Sequence, residues 1–172
     1  MAKKKSSWGI YVAVLAIAIL LLLVVRLKEN KYEQKVTDIF NVDVENVNAF
    51  TITKGEVSVT LMFADTTWIF AEPDTGKVKQ FRINNFLSNV VKGKKTGFAT
   101  DKPEKYSQYN ITDELGTKVE LKKGETVLAS VIVGKSKASW AQDYIRYPND
   151  PKVYITQKKL LNYLSEKASF WR

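Results

Sequence analysis

Cysteine and histidine are both absent from the 172 residues. Without them the chain has no thiol nucleophile, no disulfide, no Cys- or His-built zinc site and no Ser-His or Cys-His catalytic pair. Methionine and proline are also sparse, with 2 and 4 residues. No glycine-rich phosphate cradle is present, because Gly93-Lys94-Lys95-Thr96-Gly97 and Gly134-Lys135-Ser136 each miss the full spacing of a P-loop. The remaining acid/base candidates are carboxylate neighbours: Asp43 with Glu45, Glu72 with Asp74, and Asp113 with Glu114. Glycoside hydrolysis needs two carboxylates facing each other at a fixed separation, and sequence neighbours on a loop rarely supply that. The expectation is therefore a protein that is not an enzyme, with no catalytic residue, no cofactor and no metal.

What the chain has in abundance is one apolar run. Between Ser6 and Val25 no residue is charged, and Trp8–Val25 contains twelve Leu, Ile or Val residues. Twenty residues at the helical rise span about 30 Å, the thickness of a bilayer's hydrocarbon core. Each Leu, Ile or Val near the bilayer centre contributes roughly −0.3 to −0.6 kcal/mol, so insertion is favoured by at most about 4 to 7 kcal/mol. The run exceeds a signal-peptide core and is followed directly by Arg26-Leu27-Lys28. Trp8–Val25 is expected to be a single transmembrane helix. Residues 1–7 would then be a cytoplasmic tail, 26–41 a stalk or linker, and 42–172 an extracytoplasmic domain on the cytoplasmic membrane. Lysines 3, 4 and 5 before the run nearly balance Arg26, Lys28, Lys31 and Lys35 after it, so orientation rests on the short tail staying inside.

The formal net charge is +9. Such a balance suits an anionic surface or simply a solvated one. A domain held outside the cytoplasm meets little nucleic acid, which is therefore not expected as a partner.

Beyond residue 42 the patterns are short-period. Phe50–Thr53 and Val57–Phe63 alternate with period two around Gly55, placing Phe50, Ile52, Val57, Val59, Leu61 and Phe63 on one face and Thr51, Thr53, Ser58 and Thr60 on the other. Thr67–Ala71 closes an antiparallel meander. Ile83, Phe86, Leu87, Val90 and Val91 then fall at helical spacing. Gly93 serves as a possible C-terminal cap. Strands are expected again at 117–122, 126–133, 144–147 and 153–155. Thr156 could cap a final helix carrying Leu160, Leu161, Leu164 and Ala168. The hairpin turns Lys54-Gly55-Glu56 and Lys123-Gly124-Glu125 suggest a pseudo-repeat of meander plus helix; two unrelated hairpins of common shape explain them equally well. The expected fold is α+β, with an N-terminal transmembrane helix followed by antiparallel meanders, each packed with one amphipathic helix.

Two surfaces stand out. Trp140, Asp143, Tyr144, Arg146 and Tyr147 combine an acid, an arginine and large aromatics, the composition of a binding hot spot; an ordinary edge strand with an Asp-Arg pair is the competing reading. Lys92, Lys94, Lys95, Lys158 and Lys159, with Lys122/Lys123 and Lys135/Lys137, form basic clusters that could hold an anionic lipid or glycan.

The order of motifs resembles an uncharacterised bacterial family, domain of unknown function 4340. The similarity lies in Ile52-Thr-Lys-Gly, Val59-Thr-Leu, Trp68-Ile-Phe, Tyr106-Ser-Gln-Tyr109-Asn-Ile and Val131-Ile-Val-Gly134-Lys135. It continues through Tyr144-Ile-Arg146, Lys152-Val153-Tyr154-Ile155 and the closing Phe170-Trp171-Arg172. The chain departs from the family at Lys79-Gln80-Phe81-Arg82, where an aspartate-containing helix opening is usual. The resemblance implies a membrane-tethered extracytoplasmic α+β module, often associated with gliding-type ABC transporters, and no established activity. The expected function is a binding or assembly module of an envelope complex with a protein partner. The alternatives are an accessory transporter subunit or a domain binding anionic lipid or glycan.

Overall fold

The computed structural model describes residues 8–31, 36–135 and 140–172. The chain divides into two units, residues 1–34 and 35–172.

The first unit contains α1, Trp8–Lys31, whose described side chains are exposed and, from Trp8 to Val24, apolar on every side. The helix carries on past the apolar run into the charged segment read as a stalk or linker. Among the described residues no helix is long and apolar enough to cross a membrane. The single-pass anchor expected at Trp8–Val25 is corrected accordingly. So is the placement on the cytoplasmic membrane with an extracytoplasmic domain, which rested on it.

The second unit corrects the fold class. Among the described residues it is mostly β, a single nine-stranded antiparallel sheet in the order β1-β5-β9-β8-β7-β6-β2-β3-β4 with few helices. The strands are β1 Thr37–Asp38, β2 Ala49–Lys54, β3 Val57–Ala64, β4 Thr67–Phe70 and β5 Lys94–Thr100, then β6 Thr117–Lys123, β7 Thr126–Gly134, β8 Tyr144–Arg146 and β9 Val153–Thr156. The two expected meanders are not separate layers, because β2 pairs with β6 and fuses them.

That seam has a local two-fold character. Gly55 and Gly124 each open a two-residue Gly-Glu turn at φ +58° and +59°, the left-handed region glycine enters without penalty. Back to back, the hairpins pair Phe50 with Leu121 and Ile52 with Val119, with Thr51 opposite Glu120 at the centre. The recurrence stops at the hairpins.

Ile83, Phe86, Val90 and Val91 are buried as their spacing predicts, on α2 (Gln80–Phe86) and the π-helical turn Leu87–Val91 that continues it. Gly93 caps nothing in left-handed conformation. A Cβ there would crowd the Val90 carbonyl oxygen at 2.8 Å and Ile39 at 3.2 Å, so its role is close approach. The second expected helix does not form. Thr156 lies in β9, its hydroxyl donating to the Asp143 and Lys158 carbonyls, and the chain beyond passes through a 3₁₀ turn, Leu161–Tyr163, to the short α3, Ala168–Trp171.

One face of the sheet, here the inner face, builds the main core. Phe50 sits at its centre, stacked on Phe86 at 4.1 Å and tilted against Trp68 at 5.2 Å and Trp171 at 5.3 Å. Trp171 is fully buried and donates its indole N–H to the Ser165 carbonyl at 2.9 Å, so the end of the chain plugs this core. On the outer face a smaller cluster of Ile111, Ile132, Tyr144 and Val153 lies under Tyr106 and Tyr109 of the 3₁₀ segment Pro103–Tyr109. β7 is thus covered on both faces, as its unbroken apolar run predicts.

Candidate functional site

Strand alternation disperses the Trp140–Tyr147 cluster. Trp140 is exposed at 83%. Asp143 is buried and its Oδ2 accepts the Leu160 and Leu161 amides at 2.6 and 2.8 Å. Burial raises its pKa above the usual carboxylate value; those two amides and the charges of Lys159 and Lys135 offset part of the rise. Tyr144 and Arg146 point to the outer face. Tyr144 packs against Tyr109 at 4.6 Å, while Arg146 donates from Nε to the Ile111 carbonyl at 3.2 Å and pairs with Asp113 at 2.8 Å. The arginine's acidic partner is therefore Asp113, and β8 is an interior strand rather than an edge.

Tyr147 belongs to a different constellation, donating its hydroxyl to the Ile39 carbonyl at 2.6 Å. Lys95 donates to the same hydroxyl at 3.0 Å, and its ammonium lies 4.5 and 4.2 Å from the centres of the Tyr147 and Tyr154 rings. Burial lowers the Lys95 pKa, partly offset by Asp150. Both phenols are pushed up to about 12, Tyr147 by burial and the charges of Tyr154 and Asp150, and Tyr154 by burial and its bond to Asp150.

Of the remaining lysines, Lys92, Lys94 and Lys158 line one cavity of about 150 Å³ beside Asn89 and Gln157. Lys94 also pairs with Asp38 at 3.6 Å. Lys159 lies outside this lining and near Asp143. Lys92 and Lys94 follow the carbonyl end of the helical segment, where cations complement the dipole.

The most organised polar surface was not singled out by sequence. It runs across the outer face of β7, β6, β2 and β3, beyond the edge of the Tyr106–Tyr109 cover. Lys118 and Lys122 flank Glu120 at 2.6 and 3.6 Å. Lys122 donates to the Thr51 hydroxyl at 2.9 Å, and Thr51 bonds Thr60 at 2.9 Å. At the other end, directly across from Glu120, the buried Ser130 hydroxyl has no hydrogen-bond partner among the described residues. Beside this ladder the apolar pair Met62 and Ile69 stands opposite one another on β3 and β4, 40% and 39% exposed. Period-two alternation identified Thr51 and Thr60 as outward-facing, but only the β2–β6 register brings them to Lys122 and Glu120. Two hollows open on this face. One of about 360 Å³ is lined by Thr53, Asp113, Lys118, Glu120, Ser130 and Ile132, with Pro148 at its rim; the other, about 490 Å³, includes Ala49, Met62, Phe63, Ala71 and Lys122. Among the described residues no group of His, Cys, Asp or Glu could hold a metal ion.

No curated protein and no solved structure matches the chain. A family model does, over residues 68–172, more than half of the chain, starting inside β4. The similar motifs at Ile52–Gly55 and Val59–Leu61 precede that match, whereas Trp68-Ile-Phe, Tyr144-Ile-Arg146 and Phe170-Trp171-Arg172 fall within it. The chain belongs to the family described as Domain of unknown function (DUF4340).

Proposed function

We propose that this chain is a non-catalytic binding module that holds another protein on the uncovered half of its sheet. One observation carries the reading: the outer face is covered by Tyr106 and Tyr109 over β5, β9, β8 and part of β7, while β6, β2, β3 and β4 present a bonded polar ladder next to the Met62–Ile69 pair. Methionine and other apolar groups ringed by satisfied polar ones are the composition of a protein interface. A photo-crosslinking residue at Ile69 tests it, with exposed Lys77 as control. A single protein should be captured at Ile69 and not at Lys77. That protein, purified, should bind the full chain at least tenfold more weakly when Met62→Asp and Ile69→Asp are combined. Equal capture at both positions, or unchanged affinity, overturns the proposal.

A second reading is favoured by the convergence of Lys92, Lys94 and Lys158 on one cavity, which suits an anionic group such as a lipid phosphate. Reversal of these three charges should abolish retention on vesicles containing anionic phospholipid. Unchanged retention removes this reading and leaves the first intact.

A further inference from the structure

Arg82 follows the exposed Phe81 (54%) and precedes the buried Ile83 on α2. Its guanidinium carbon lies over the Phe170 ring at 4.2 Å and over the Phe81 ring at 5.1 Å. Phe170 meets the buried Trp171 edge-on at 5.1 Å, so this aromatic contact is fixed to the core. Contact with a ring uses none of a guanidinium's N–H donors. Arg146 and Arg172 spend theirs on Asp113 and Asp74, whereas Arg82 has no ion pair among the described residues. Its Nε is buried without a hydrogen-bond partner there, so that side of the cation has lost water with nothing in exchange. The terminal amino groups are the part left for a ligand.

The surroundings add positive charge. Between Asp74 and Asp101 the chain has no acidic residue and six basic ones. Two exposed lysines stand one turn from the contact: the Lys79 carbonyl accepts the Arg82 amide at 2.9 Å, and the Lys167 carbonyl accepts the Phe170 amide at 3.1 Å. Asp74 is taken by Arg172 at 3.7 Å. Glu166, the one acid beyond Val153 on the closing segment, makes no ion pair with Arg82 among the described residues.

A poorly solvated guanidinium takes a carboxylate through paired N–H bonds, and the exposed ring beside it takes an apolar neighbour of that carboxylate. A free inorganic anion would use the charge and leave Phe81 idle. We infer that Phe81, Arg82 and Phe170 form a second interaction surface, which receives an acidic segment of a partner protein: a Glu or Asp carboxylate on Arg82 and an apolar side chain against Phe81. Lys79 and Lys167 steer the approach. The surface lies with α2 on the inner-face side of the sheet and uses no outer-face residue, so it stands or falls apart from the reading proposed above.

The test measures binding of a fluorescently labelled dodecapeptide of Glu, Leu and Gly to the full chain in mild detergent, by anisotropy at ~0.15 M salt, where distant charges are screened. A counterpart with Gln for every Glu should bind at least tenfold more weakly. Arg82→Lys keeps the charge but loses the paired donors, and should weaken the Glu peptide at least fivefold. Arg82→Gln should cost at least tenfold and Phe81→Ser at least threefold, with urea midpoints unchanged. Lys105→Gln, which removes one exposed charge from the outer-face cover, should change affinity less than twofold. The inference is overturned if the Glu peptide does not bind, or if Arg82→Lys and Phe81→Ser bind it as tightly as the parent. Equal losses at Lys105→Gln and Arg82→Gln also overturn it, since net charge alone would then be read. So does retention on anionic phospholipid vesicles through Arg82 without binding of the peptide.

Discussion

Asp143 and Leu160 are joined by a 2.6 Å hydrogen bond in which one buried carboxylate oxygen takes the leucine's amide and, at 2.8 Å, that of Leu161 as well. One side chain on the approach to β8 thereby satisfies the backbone where the closing segment turns back toward the core. Because a single oxygen does this, an amide can replace the acid.

Asp143→Asn should retain both bonds and leave stability at neutral pH within about 1 kcal/mol of the parent, whereas Asp143→Ala, stranding two amides, should cost about 2 to 4 kcal/mol. The urea midpoint of the full chain reads both. The pH dependence has a definite sign. The folded pKa of Asp143 lies above 3.8, so the folded state keeps a proton that the unfolded chain has already released. Its stabilising contribution is complete below pH 3.8 and declines as pH rises through the folded value. Asp143→Asn should remove that decline.

At the alkaline end, Tyr147 and Tyr154 should ionise near 12, after tyrosines with the ordinary value of 10.0. Ultraviolet difference absorbance follows this directly. Both pKa values are raised in the fold, so the stability they contribute is fully present below pH 10.0 and lost on approach to 12. Tyr147→Phe should remove one late-titrating phenol and, by freeing the Ile39 carbonyl, cost about 1 kcal/mol.

Much of this arrangement is written locally and some is not. Alternation in Phe50–Thr53 and Val57–Phe63, and the spacing of Ile83, Phe86, Val90 and Val91, are short-range signals, and strands and helix form where they predict, although Val57 and Phe63 near the two ends of β3 are exposed rather than in the core. The pairing of β2 with β6 joins residues about 70 positions apart, and nothing near Thr51 announces Glu120. The outer-face ladder was hidden for that reason. Leu160, Leu161 and Leu164 do obey helical spacing, yet the Asp143 carboxylate takes the amides at the start of that stretch, and a 3₁₀ turn forms. Likewise Tyr144, Arg146 and Tyr147 look like one cluster only until strand pairing sends the first two to one face and the third to the other.

Arg146 and Asp113 share an ion pair of unequal ends, the arginine side chain 11% exposed and the aspartate 87%. Replacing the exposed end, Asp113→Ala, should cost less than about 1 kcal/mol. Arg146→Ala should cost about 2 to 4 kcal/mol, since it also vacates the bond to the Ile111 carbonyl and the packing on Tyr106. Thermal denaturation of the two variants side by side measures the asymmetry.

Glycine positions should separate by mechanism. At Gly134 an added Cβ would run into the carbonyl oxygens of Asn110 and Tyr109, and Gly134→Ala should cost about 3 kcal/mol or more. At Gly124 the space is open and only the positive φ opposes a side chain, so Gly124→Ala should cost about 1 kcal/mol. Denaturant midpoints distinguish them.

The seam between β2 and β6 bears on how the family segment can be handled. Residues 68–172 contain β6 but not β2, so a fragment cut at Trp68 would bare the backbone donors and acceptors of Lys118–Lys122 along one side, together with the buried faces of Val119 and Leu121. Such a ladder is a template for another molecule's strand. The hairpin ahead of the matched segment is thus a built-in guard against polymerisation, and the shortest piece that stays dispersed in solution should begin before Ala49.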